Sequence, residues 1–240
     1  MNSLSKQYKD VFGKELLPFG FRLYKKTFYR VINDVVQTIM LRKTDTNFTL
    51  DFSILPLSLP VNDLYCEGYD IAIIGKRRWW WDCWGEIGED TFAEILTRFR
   101  QHVIPLFERG INSATAYDVI VNIEKMIYNG LPNEVYLASY PLFLMSVKVN
   151  DYEKALRHLS AIMRKREEAY QHFLAERKKE ITPVMNLAFE RFMVEYRQLQ
   201  EMMEMVSTKN VMYFQQLIAT NESISLEYLK DPRKRSKSFY

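Results

Sequence analysis

The chain has 240 residues, of which 48% are hydrophobic, 26% charged and 14% aromatic, a composition that excludes a disordered chain and supplies ample core material. Its net charge of +3 is unevenly placed: residues 1–150 balance at 17 basic and 17 acidic side chains, and the excess falls in 151–240. The N-terminal part is therefore no electrostatic attractor for polyanions, and with no run of about 18 apolar residues no membrane-spanning helix is expected.

The opening MNSLSKQYKD lacks the apolar core and small-residue site of a secretory signal. Cys66 and Cys83 have no CxxC spacing and read as two reduced thiols, so the expected compartment is the cytoplasm. In residues 4–17, Leu4, Tyr8, Val11, Phe12 and Leu16 recur at helical spacing with Lys6, Lys9 and Lys14 between them, which predicts an amphipathic helix ended by Pro18 and Gly20. FRLYKK, TFYRVIN and VVQTIMLRK follow, rich in aromatic and β-branched residues, with Asn33-Asp34 as a hairpin turn between the last two.

Phe48, Leu50, Phe52 and Ile54 alternate with Thr49, Asp51 and Ser53, predicting a strand with one dry and one wet face. Pro56 and Pro60 bracket an irregular loop, Asp70–Gly75 reads as a further strand, and the chain then reaches Lys76-Arg77-Arg78-Trp79-Trp80-Trp81-Asp82-Cys83-Trp84, which holds every tryptophan of the protein. Short connections favour an antiparallel meander, on which a helix from about Asp90 to Glu108 packs through Phe92, Ile95, Leu96 and Phe99, with Pro105 bending or shortening its end.

From Ser113 the texture is helical: 113–128, then 133–147 and 152–163 joined by VND, with Asp151 as N-cap. The pair resembles one unit of a tetratricopeptide-like hairpin, but no second copy recurs at a fixed period. The helix from Tyr152 can run to Lys179 with a strongly polar second half, and Thr182-Pro183 marks the start of a new one. In that helix Met185, Ala188, Phe192, Tyr196, Leu199, Met203 and Val206 form a heptad-like seam. Two short helices, 210–219 and 223–230, and a basic tail complete the chain. The expected class is α+β: an N-terminal antiparallel sheet packed with helices at 1–110, then an all-α region at 111–240.

The order of features in residues 4–110 carries a resemblance. An amphipathic helix leads to Gly20-Phe21, then to Tyr24-Lys25-Lys26-Thr27-Phe28-Tyr29-Arg30 and a strand with Val35, Val36 and Gln37. The alternating Phe48–Ile54 strand follows, and Trp80-Trp81 precedes a helix with Ile104-Pro105. This set resembles a bacterial domain family of unknown function, numbered 4304. The resemblance covers under half the chain, implies an α+β fold and brings no activity or catalytic residue with it. Where that family often carries a polar, His- or Arg-bearing strand before its tryptophans, this chain has the apolar Ile71–Ile74.

Catalytic patterns are missing. His102, His158 and His172 fall on predicted helices away from both cysteines, and there is no HExxH, GxSxG, GxGxxG or phosphate loop. No metal or cofactor is expected. Lys76, Arg77, Arg78 and Trp80 join basic and aromatic groups as single-strand nucleic-acid binders do and as protein hot spots do, while core packing of the tryptophans is the bland alternative. Strand alternation separates Trp80 from Trp79 and Trp81, and the flanking Lys76, Arg77 and Arg78 make Trp80 the candidate for the outward ring. Phe192, Tyr196, Leu199 and Met203 are either the inside of a helix bundle or an interface. The sequence thus points to a non-enzymatic interaction module, of which an immunity- or antitoxin-like role is one form. Its partner is another protein or a second copy. A weak nucleic-acid binder and an enzyme without a recognisable motif are the alternatives.

Overall fold

The computed structural model describes residues 4–61, 64, 68–74, 80–82, 89–127, 138–176 and 183–233. The fold is α+β, and the chain forms two compact units. One comprises Met1–Ile127 with Ala219–Tyr240, the other Tyr128–Ile218. The boundary expected at 110 falls between two helices that both group with the sheet.

In the first unit α1 (Leu4–Leu16) leads into a 3-10 turn, Leu17–Phe19. Gly20 stops it at φ 81°, its N–H on the Leu17 carbonyl, a left-handed conformation that costs glycine nothing. The sheet is antiparallel throughout: β1 (Arg22–Tyr24), β2 (Thr27–Ile32), β3 (Val35–Lys43) and β4 (Asn47–Pro56) lie in sequence order, and β5 (Tyr69–Asp70) and β6 (Trp81–Asp82) both pair along β4. Asn33 turns β2 into β3 at φ 49°, a conformation that asparagine tolerates better than most residues. The adjacent Asp34 carboxylate accepts the N–H and hydroxyl of Ser113, tying that turn to the start of the helix that begins at Ser113.

One face of the sheet carries Phe28, Ile39, Phe48, Leu50 and Phe52 against the helices. Tyr8, Phe12 and Leu16 of α1 are fully buried at four-residue intervals, and the Tyr8 hydroxyl donates to the Ile39 carbonyl at 3.0 Å. α3 (Glu89–Arg98) passes through a π-helical turn, Phe99–Val103, into α4 (Ile104–Arg109). The expected bend at Pro105 is thus a change of helical pitch just before it, and the helix runs on to Arg109. Gln37, a polar residue in this core, donates to the Phe107 and Gly110 carbonyls at 2.7 and 2.9 Å and accepts from Arg30 Nε at 2.8 Å.

The opposite face is not wet. Thr49, Asp51 and Ser53 are as buried as their apolar neighbours, because that face carries a second core of Tyr29, Val36, Leu57, Val61, Leu64, Tyr228 and Leu229. Thr38 and Ser53 satisfy each other at 2.6 Å. The expected strand Asp70–Gly75 also differs: Tyr69–Asp70 pairs with β4, then Ile71–Ile74 turn into a short helix, α2. Asp70 Oδ1 accepts the Ala72 N–H at 2.8 Å and so caps that turn instead of letting the strand continue.

α5 (Ser113–Ile127) completes this part. In the second unit lie α6 (Tyr140–Lys148), α7 (Tyr152–Glu176) and α8 (Pro183–Ser207). Asp151 caps α7 as expected, accepting from the Lys154 N–H at 3.1 Å. The two short terminal helices are instead one, α9 (Val211–Lys230), which crosses from the second unit into the first. Asn221, in the gap expected between them, faces inward and donates to the Ser58 carbonyl, and one turn on Ser225 Oγ bonds the Leu57 carbonyl and the Val61 N–H.

Candidate functional site

Of the basic–aromatic segment, Lys76, Arg77, Arg78 and Trp79 lie outside the described residues; Trp80 and Trp81 are described. Trp81 pairs with Phe48 across β6 and β4, is 2% exposed, and donates its indole N–H to Glu94 Oε2 at 3.0 Å. It closes the helix-side core. Trp80 is half-buried, and the Arg42 guanidinium lies over its ring, 4.5 Å from the centroid.

Arg42 is held on the other side by two buried carboxylates. Its Nε lies 3.1 Å from Asp51 Oδ2 and its Nη2 3.1 Å from Asp70 Oδ2. Asp70 also accepts the Thr49 hydroxyl at 2.6 Å. Carboxylates this buried require a charged partner or several donors. The arrangement therefore fixes the Arg42 side chain against Trp80, and its chemistry is that of a structural clamp.

Beside Arg42 the sheet opens into a cavity of about 450 Å³ between the β1–β2 turn, the end of β3 and Leu64. That volume is in the range of about 300–1,000 Å³ typical of small-molecule sites. Met40 and Leu64, both buried, make its floor, and Lys25, Lys26, Arg42 and Lys43 line it. Lys25 sits at φ 55° with its ammonium 5.2 Å from the centre of the Tyr24 ring. Lys26 and Lys43 are exposed.

The α8 seam packs within the chain. Ser160 Oγ lies 3.9 Å from Met203 Sδ, Arg166 pairs with Glu195 at 3.5 Å, and Tyr170 stacks on Phe192 at 4.2 Å, so α7 and α8 run antiparallel as a hairpin. Phe192 also stacks on Tyr196 at 5.5 Å. Leu199 is buried, whereas Phe192, Tyr196 and Met203 stay half-buried. On the outer part of the hairpin Arg164–Ala169 are all exposed, as are Leu174, Leu187, Phe189 and Val194. Leu187 and Val194 stand seven residues apart, on the α8 face opposite the seam.

Sequence reasoning singled out the tryptophans and the seam but not Arg42, Asp51, Asp70 or the lysine-rimmed cavity. Those residues are distant along the chain, and only strand register brings them together. The available signal was Asp51, a carboxylate in mid-strand on a face read as wet. Among the described residues no group of three or more His, Cys, Asp or Glu could hold a metal ion, and no helix is long and apolar enough to cross a membrane. Comparisons with family models, curated proteins and solved structures found no match to this chain.

Proposed function

We propose that the protein is an interaction module rather than an enzyme, and that its contact surface is the outer part of the α7–α8 hairpin. The observation that supports this reading is the packing of that hairpin: two 25-residue helices whose outer halves leave an aromatic seam half-buried and four large apolar side chains exposed. Leu187 and Val194 lie on the α8 face turned away from α7, and a further helical element laid on that face completes their burial in the way bundles do. Full burial of a Leu or Val side chain contributes about 1.5–3 kcal/mol. At 52% and 55% exposure, Leu187 and Val194 retain roughly half of that gain for a partner to realise.

The partner is a protein with an amphipathic helix; a second copy of this chain is the simplest instance. Light scattering over a concentration series tests that instance. A mass rising above 28.7 kDa in the wild type and staying monomeric in Leu187→Glu/Val194→Glu supports self-association through this face. A wild type that stays monomeric throughout removes the second copy and leaves a different protein as the occupant.

A further inference from the structure

We propose that the cavity beside Arg42 is a binding site for a small organic anion, with the ligand's apolar body on Met40 and Leu64 and its phosphate or carboxylate head toward Lys26 and Lys43. This inference is independent of the hairpin and concerns the opposite end of the chemistry, a small molecule in a pocket. Three features carry it. The cavity holds about 450 Å³, room for a ring system with its charged substituent. Its floor is apolar and buried, with Met40 at 4% exposure and Leu64 at 1%. Its described lining includes four cationic side chains and no acidic one.

The four cations are not equivalent. Arg42 is committed to Asp51 and Asp70, and Lys25 leans on the Tyr24 ring. Lys26 and Lys43 make no ion pair with any described residue, so their charge is available to a ligand. They belong to adjoining segments, because the Leu41 N–H donates to the Lys26 carbonyl at 3.2 Å and Thr27 pairs with Met40. Cationic side chains that line a concave site attract an anion more strongly than the same groups on an open surface. The Thr27 hydroxyl donates to the Leu64 carbonyl at 3.4 Å, which ties two sides of the cavity together. The site thus combines an apolar body pocket with a cationic rim, and either part alone is a weak binder.

The probe is 1-naphthyl phosphate, titrated by calorimetry at low ionic strength against 1-naphthol, inorganic phosphate and 1-naphthoate. The expected result is saturable binding of 1-naphthyl phosphate at least about tenfold tighter than either naphthol or phosphate alone. It should weaken with added salt and fall at least about tenfold in Lys26→Glu/Lys43→Glu. Both lysines are exposed, so that variant keeps the wild-type urea midpoint. Binding of 1-naphthoate as well assigns the rim to anions in general, and its failure to bind assigns it to phosphate esters. Naphthol binding as tightly as its phosphate would overturn the proposal, as would phosphate ester binding unchanged in the double variant or no saturation at millimolar concentration.

Discussion

Tyr170 lies flat on Phe192 across the α7–α8 hairpin, ring centroids 4.2 Å apart and planes 9° from parallel. The pair holds the outer hairpin where the chain is otherwise exposed, with Phe189 tilted 5.7 Å away. Aromatic pairs contribute about 0.5–1.5 kcal/mol beyond the area they bury. Tyr170→Leu should therefore lower the unfolding free energy from urea denaturation by about 0.5–1.5 kcal/mol and remove near-ultraviolet dichroism from this pair, while the sheet unit keeps its own.

The two described tryptophans should separate cleanly. Trp81 is a core residue bonded to Glu94, so Trp81→Ala should cost about 3–5 kcal/mol. Trp80 is half-buried under Arg42, and a cation–π contact of this kind is worth about 0.5–2 kcal/mol, so Trp80→Ala should cost clearly less. Equal losses in urea unfolding would contradict the assignment of the two rings to different environments.

Gln37 is the polar pin between β3 and α4. Gln37→Leu leaves the Phe107 and Gly110 carbonyls without this donor, and each orphaned buried group costs about 1–3 kcal/mol. A loss of roughly 2–6 kcal/mol is expected, against at most about 0.5 kcal/mol for a surface change such as Lys14→Gln. Chemical denaturation measures both.

The strand and helix periods of the first 60 residues were legible because one face of each element meets the core: Tyr8, Phe12 and Leu16 on α1, and Phe48, Leu50 and Phe52 on β4. The reading failed where tertiary contact overrides pattern. Thr49, Asp51 and Ser53 alternate as a solvated face would, yet Leu57, Leu64 and α9 residues 170 or more positions away supply what buries that side of the sheet. Asn221 falls in the gap between the two expected helices because its partner, the carbonyl of Ser58, is invisible in local sequence. Ile71–Ile74 has strand composition, but one Asp70 carboxylate oxygen turns it into a helical segment. The seam at Phe192 and Leu199 was legible as a period; that it faces α7 was not.

The start of α7 should show a defined acid response. The Lys154 side chain, bonded to Asp151 at 2.8 Å, holds that carboxyl below its ordinary value. A carboxyl whose folded pKa is depressed contributes stability above its unfolded value, about 3.9, and loses it as pH falls through the lower folded value. The difference in urea midpoint between wild type and Asp151→Asn should therefore be constant from pH 7 to 5 and shrink below about pH 4. A gap that persists at pH 2.5 would show that charge plays no part in this cap.

The proposed contact surface on the outer α7–α8 hairpin is tested most directly by site-specific photocrosslinking in cells producing the full chain. A benzophenone side chain placed singly at Leu187 or Val194, both exposed, should give a covalent adduct of one discrete higher mass. The same group at Lys14 of α1, also exposed, should not. Loss of the adduct when the other hairpin position carries Glu would place the contact on this face. No adduct from either hairpin position, or the same adduct from Lys14, would contradict the account.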